Sequence, residues 1–351
     1  MSFEDIQTPA VLVDLDIAEA NIDTYQAYCT KHGLALRPHI KTHKLPFLAK
    51  RQLEAGAIGI TCQKISEAEA MIADGGIHDV LITFNILGAE KLERLKALAG
   101  KVRLSVVADN ASTVKGLSDA FSDTASRLTV LVECDTGAER CGVTSPEAAR
   151  DLAQIINQSP GLAFGGLMTY PPAGKEAEVQ DWLTKARDMI EADGLKVATI
   201  SNGGSPGMWQ AENVPVATEY RIGTYVYNDR SLVSRGVCDW DDCALTVLAT
   251  VVSVPAADRA VIDTGTKVLT SDLLGLNGHG HVLDRPDITV DALSEEHGVL
   301  RAETIGLEVG DRIRIVPNHV CVVSNMVDEV QLVRGEHGLG ASPVSARGKV
   351  V

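Results

Sequence analysis

The stretch Leu128–Tyr170 reads LTVLVECDTGAERCGVTSPEAARDLAQIINQSPGLAFGGLMTY. It opens on a short apolar run, Leu128–Cys134. Near-continuous apolar runs of this length mark strands covered on both faces, as in a parallel sheet. A polar, glycine-containing loop follows. Ser145-Pro146 then starts an amphipathic helical segment, with Ser as the capping residue and Pro in the first turn. A second apolar run, AFGGLMTY, closes the unit. The order strand, helix, strand predicts a βαβ crossover.

The same alternation extends outward from Leu34 to about Asp229. The apolar runs are LALRPHI, IGITC, DVLITF, RLSVVA, LTVLVEC, AFGGLMTY, VATIS and TEYRIGTYVYN. Amphipathic segments such as SEAEAMIADGG, GAEKLERLKALAG and EVQDWLTKARDMIEADG lie between them, several starting on Ser or Asn and ending on Gly. Eight such units predict a (β/α)8 TIM barrel, with a doubly wound sheet as the alternative. After about Arg235 the helical period disappears. Short β-rich runs follow, including ALTVLATVVSV, RAVIDTG, HGHVLD, EHGVLRAE, DRIRIVP, VCVVSN and EVQLVRG, which predicts antiparallel β-structure. The early run AVLVDLD (10–16) is a further strand for this second domain. The predicted boundaries are 22–230 for the barrel, and 1–21 plus 231–351 for the β domain.

The composition excludes several functions. The net charge is -15, with no long basic stripe, which argues against nucleic acid. No apolar run nears the ~20 residues needed to cross a bilayer. The N-terminus MSFEDIQTP has neither a basic n-region nor an apolar h-region, so a cytoplasmic protein is expected. The seven cysteines show no CxxC pair, and free thiols are expected.

Barrel chemistry gathers at the C-terminal ends of strands. After the first run comes RPHIKTHK (37–44). On a continuing strand His39, Lys41 and His43 would share one face. Cationic neighbours and partial burial lower a lysine's pKa and make the amine a Schiff-base former; a solvated loop is the other reading. Ser201-Asn-Gly-Gly-Ser-Pro-Gly207 is either a phosphate cradle or a plain turn. A barrel-end lysine with a phosphate cradle suggests pyridoxal 5'-phosphate (PLP). In Pro317-Asn-His-Val-Cys321, His319 and Cys321 would point the same way on a strand. They would hold one divalent metal, with positions left open, or be a core cysteine beside an exposed histidine.

RPHIKTHK, DTGAERCG, SNGGSPG and PNHVC together resemble the D-threonine aldolase and D-serine dehydratase family of fold-type III PLP enzymes, relatives of alanine racemase. The resemblance runs from about Thr8 to Lys349. It implies that Lys41 is the Schiff-base lysine, that Arg140 sits by the phenolic oxygen of the coenzyme ring, and that Tyr170 flanks the coenzyme. Ser201, Gly203, Gly204 and Ser205 match the phosphate loop, with Tyr225 and Asn228 near it. His319 and Cys321 match the pair that binds a divalent metal (Zn, Mn or Mg). Lys41, His43 and Tyr170 are the expected catalytic residues. The resemblance further implies a small D-amino acid substrate and a homodimer.

Two chemistries follow. A D-threonine aldolase would cleave a D-3-hydroxy amino acid to glycine and an aldehyde. A D-serine or D-3-hydroxyaspartate dehydratase would give a 2-oxo acid and ammonia. Cys321 leans towards the dehydratases or towards a zinc-preferring aldolase, whereas TEYRIGTYVYNDR and DDCALTVLATVVS look closer to the aldolases. The metal pair argues against a PLP-binding regulator without turnover, and a plain racemase has no evident use for a metal.

Overall fold

Parallel strands buried on both faces need helices outside them, and the computed structural model has that layering. The structure describes residues 5–351. Met1–Glu4, with which the expected second domain and the stretch MSFEDIQTP begin, lie outside the described residues. The chain forms two compact units. One holds Tyr25–Lys41, Pro46–Gly223 and Lys349–Val351. The other holds the N-terminal segment through Thr24, Thr42–Leu45 and Thr224–Gly348. Strand β1 (Ala10–Asp14) lies in the second unit, and helix α1 (Leu15–Lys31) carries the chain into the first.

The first unit continues with β2 (Ala35–Leu36), α2 (Pro46–Ala55), β3 (Ile60–Cys62), α3 (Ile65–Ile72), β4 (Asp79–Ile82), α4 (Ala89–Ala99), β5 (Arg103–Ala108) and α5 (Ala111–Phe121). Then come β6 (Leu128–Cys134), α6 (Pro146–Gln158), β7 (Leu162–Thr169), α7 (Glu176–Ala192), β8 (Thr199–Asn202) and β9 (Glu219–Tyr220). The eight strands β2 to β9 pair in parallel, in sequence order. A parallel bridge between His39 and Thr61 joins β3 to the residues after β2 and closes the barrel. Its interior includes a buried layer of Leu81, Val107, Leu131 and Met168. Capping follows the sequence. The Asn110 side chain accepts the Thr113 N–H at 2.8 Å to start α5, and Ser145 accepts the Ala148 N–H at 3.1 Å to start α6. Helix α6 buries Ala149, Leu152, Ala153 and Ile156 against the sheet. Gly166, at φ +140, is required where β7 passes β8, since a Cβ there would lie 1.9 Å from Thr199 O.

Two barrel expectations need correction. The seventh unit carries a 3-10 helix over Ser205–Asn213 instead of an α-helix. The run TEYRIGTYVYN is a strand only at Glu219–Tyr220, because its backbone turns into a 3-10 helix at Thr224–Val226.

Inside the barrel runs a chain of opposite charges. Arg37 donates to Glu219 at 2.8 Å and to Asp79 at 2.6 Å, and Asp79 also pairs with Arg103. Arg37, Asp79 and Glu219 are all buried, so each charge depends on its neighbours for solvation.

The second unit adds two short helices, α8 (Arg230–Val233) and α9 (Thr266–Leu269), and strands β10 (Leu245–Ala256), β11 (Arg259–Ile262), β12 (His281–Val282), β13 (Thr289–Leu293), β14 (Gly298–Arg301) and β15 (Arg312–Val316). Helix α10 (Val320–Met326) and strands β16 (Glu329–Arg334) and β17 (His337–Pro343) follow. The sheet order is β11-β14-β13-β12-β15-β10-β1-β16-β17, and a further β10–β11 pairing closes six of these strands on themselves. The early strand β1 sits between β10 and β16. Ile6, Leu12, Leu248 and Val333 pack as a buried cluster there.

The run VCVVSN is not the strand its valines suggest but helix α10. The Asp229 carboxylate accepts the Val320 N–H at 3.2 Å and satisfies a first-turn donor. The tail divides: Ala341-Ser-Pro343 ends β17, whereas the Val351 carbonyl oxygen accepts the Ser66 hydroxyl at 2.7 Å in the barrel unit. Among the described residues no helix is long and apolar enough to cross a membrane.

Candidate active site and metal pair

The first strand's end is a turn, not a continuing strand. His39, Lys41 and His43 therefore do not share one face. His39 accepts the Lys41 N–H on Nδ1 at 3.3 Å and meets Gln63 Oε1 through Nε2 at 3.2 Å. Gln63 in turn donates to Thr83 O at 2.8 Å. The imidazole thus ties the Lys41 turn to the ends of β3 and β4, and Lys41 itself is partly buried. His43 belongs to the second unit. It is buried, accepts the Leu45 N–H on Nδ1 at 3.0 Å, and meets the Tyr227 ring edge-on at 6.4 Å.

The loop after β6 is wound around Asp135, whose Oδ1 accepts the N–H groups of Gly137, Ala138 and Glu139 at 2.9–3.1 Å. This winding presents Arg140, whose guanidinium lies 4.6 Å from the centre of the Tyr170 ring. Tyr170 follows β7 and is 37% exposed. Across its ring runs the glycine pair. A Cβ at Gly204 would lie 3.1 Å from Tyr170 Cε2, and one at Gly203 (φ +134) 2.7 Å from Arg221 backbone atoms. Only glycine lets this backbone approach so closely. Ser205 starts the following 3-10 helix. The Ser201 hydroxyl is already in use, donating to Glu219 at 2.5 Å and accepting from Arg221 at 2.7 Å.

Sequence reading missed two residues beside this group. Arg221 is buried and donates to Thr169 O at 2.5 Å; burial pulls its pKa down to about 10, while Glu219 and Glu133 hold it up. Burial pushes Glu133 up to about 7; Arg140 and Arg221 pull it back, and Asp109 adds to the rise. A signal existed for Glu133: it is the one charged side chain in the apolar run LTVLVEC.

In the second unit His319 occupies the N-cap position of α10, and Cys321 lies in its first turn, so helix geometry and not strand alternation brings them together. The Cys321 thiol is in hydrogen-bond contact with the His319 ring. The Thr42 and Thr224 hydroxyls lie 3.1 and 3.7 Å from Cys321 Sγ. The other imidazole nitrogen, Nδ1, donates to Asp272 Oδ2 at 2.6 Å. Burial alone would lower the His319 pKa, but Cys321, Asp272 and Asp229 raise it to about 9. Asp272 was not singled out from the sequence, and nothing local distinguishes it among 47 acidic residues. Among the described residues no cluster of three or more His, Cys, Asp or Glu has the geometry of a complete metal site. Tyr225, fully buried, and Asn228, donating to Asp242 O at 3.1 Å, also lie in this unit, whereas Ser201, Gly203, Gly204 and Ser205 lie in the barrel.

The donors fit the expected groups. The side-chain-free cradle at Gly203–Gly204, faced by an aromatic ring and an arginine, suits a flat anionic coenzyme. An imidazole nitrogen and a thiol in contact suit a divalent metal of borderline softness such as zinc.

Residues 13–231 match the family model for the alanine racemase N-terminal domain, and residues 244–333 match a putative serine dehydratase domain. A D-threonine aldolase from an Arthrobacter species is 34% identical, over 98% of this chain and 93% of the relative. A D-threo-3-hydroxyaspartate dehydratase from a Delftia species is 29% identical, over 90% and 91%. The crystal structure of D-threonine aldolase from Filomicrobium marinum superposes with a TM-score of 0.93 at 34% identity, covering 100% of this chain and 98% of that one. The chain belongs to the D-threonine aldolase and D-serine dehydratase family, on the alanine racemase fold.

Proposed function

We propose that the protein is a PLP- and divalent-metal-dependent lyase of D-3-hydroxy amino acids, cleaving D-threonine-type substrates to glycine and an aldehyde. The observation that carries this reading is the full-length similarity to the Arthrobacter D-threonine aldolase. The fold family is PLP-dependent. Resemblance extends the reading to a cytoplasmic homodimer.

When bound, the coenzyme supplies an electron sink for a bond at Cα, and the metal makes a β-hydroxyl more acidic. The chain's residues do the holding. Lys41 presents its amine from a turn that His39 and Gln63 keep in place. Backbone N–H groups of the 203–205 cradle meet the phosphate, and Arg140 and Tyr170 meet the ring. His319 and Cys321 hold the metal. His43 would present an N–H from Nε2 rather than a proton-accepting nitrogen. Its Nδ1 already accepts the Leu45 N–H, so the neutral ring carries its proton on Nε2.

The dehydratase reading rests on Cys321, the thiol that the resemblance connects with that branch, and on the Delftia relative. Incubation with D-threonine separates the two. Glycine and acetaldehyde from D-threonine, with L-threonine unchanged, support the aldolase. Production of 2-oxobutyrate and ammonia without glycine replaces it with the dehydratase.

A further inference from the structure

We infer that Asp272 is the positioning residue for the metal pair, fixing which nitrogen His319 offers and which way it faces. This rests on the reading of His319 and Cys321 as metal donors.

His319 stands where a strand has ended and a helix begins, so the backbone alone leaves its ring free to turn. Asp272 removes that freedom through its 2.6 Å bond to Nδ1. A carboxylate accepts only, so Nδ1 carries the proton and the lone pair sits on Nε2. Without that partner the neutral ring could place its proton on either nitrogen, and one of the two tautomers cannot bind a metal through Nε2. The carboxylate also makes the ring more electron-rich, hence a stronger donor.

Asp272 is itself held in register with its target. Asn318, next to His319 and buried, donates through Nδ2 to Asp272 O at 3.3 Å and to Gly278 O at 2.9 Å. Arg230 fixes Asn318 from the far side, donating to its Oδ1 at 3.0 Å and to Gly278 O at 3.1 Å. The Asp272 N–H meets Thr270 Oγ1 at 3.3 Å. The loop bearing the carboxylate and the residue before the histidine are thus bonded to each other. Asp229, the other carboxylate near His319, is spent on the Ser231 hydroxyl and the Leu232 and Val320 N–H groups. It anchors helix α10, which leaves Asp272 as the carboxylate bonded to the ring.

The test is zinc affinity of the full-length protein, measured by competition with a chromophoric chelator, together with the cobalt(II) spectrum. Asp272→Ala should bind zinc about 10- to 100-fold more weakly. Asp272→Asn, with nearly the same shape, should fall between it and the wild type. Both should shift the cobalt absorption bands while coenzyme absorbance stays unchanged. Asp272→Asn also serves if the alanine variant folds poorly. Wild-type affinity and an unchanged cobalt spectrum in both variants would overturn the inference alone. A wild-type protein that takes up no zinc or cobalt would overturn the metal reading and this inference with it.

Discussion

The Ser201 hydroxyl lies between two opposite charges, donating to Glu219 and accepting from Arg221, with all three side chains buried. A phosphate needs donors, and a serine has one. With that donor directed at Glu219, the proposed phosphate cradle would draw its donors from the backbone beyond residue 201, and Ser201 would support that backbone. Ser201→Ala should therefore lower stability by about 1–3 kcal/mol, through two buried charges that each lose a partner. Denaturant unfolding and coenzyme titration of the same variant check this. Weaker coenzyme binding at unchanged stability would make Ser201 a direct phosphate ligand.

Lys41→Ala should lose the visible absorbance of the bound coenzyme. Borohydride reduction of the wild type, followed by peptide mass spectrometry, should place the coenzyme on Lys41. Finding it on another lysine refutes the assignment.

A chelator should abolish lyase activity and leave coenzyme absorbance intact, and Cys321→Ala should do the same. Full activity of Cys321→Ala after metal stripping would end the metal-pair reading.

Asp79 pairs with two arginines of very different burial, so the two pairs should differ in strength. Arg37 is buried between Asp79 and Glu219, and Arg37→Met should cost about 3–5 kcal/mol by taking from both carboxylates the buried cation they share. The Arg103 side chain is 76% exposed, and Arg103→Ala should cost only about 0–1 kcal/mol. Equal losses in urea unfolding would contradict the burial argument.

Glu133 gives a pH dependence of definite sign. Its folded pKa, about 7, is above the ordinary 4.5, so between these values the folded state binds more protons than the unfolded one. Stability from this group is thus full below pH 4.5 and is lost as pH rises to 7. At roughly 1.4 kcal/mol per pH unit the loss is at most about 3.5 kcal/mol. Glu133→Gln should gain stability relative to wild type between pH 5 and pH 8. A constant difference across that range would rule out the raised pKa.

Much of the barrel was legible because its signals are local. Aliphatic runs such as Leu128–Cys134 mark strands buried on both faces, and Asn110 and Ser145 mark helix starts that the structure caps with those side chains. The strand at Ala10–Asp14 could be assigned to the β domain because it preceded the barrel's own first strand. The helix at Val320–Met326 was not legible. Its three valines favour a strand, and the Asp229 carboxylate that satisfies its first turn lies 91 positions away.

The candidate site divides in the same way. Lys41, Arg140, Tyr170, the glycine pair and His319 with Cys321 stand in short motifs whose residue types limit their chemistry. The sequence by itself therefore determined the barrel, the β domain and these chemical candidates, since apolar period, capping residues and motif composition act over a few neighbouring residues. The tertiary structure alone decided that Lys41 sits in a turn, that the Ser201 hydroxyl is bound between Glu219 and Arg221, and that Asp272 faces His319 from 47 positions away. A hydrogen bond between distant residues depends on where folding carries each backbone, and no local preference of either residue encodes the other.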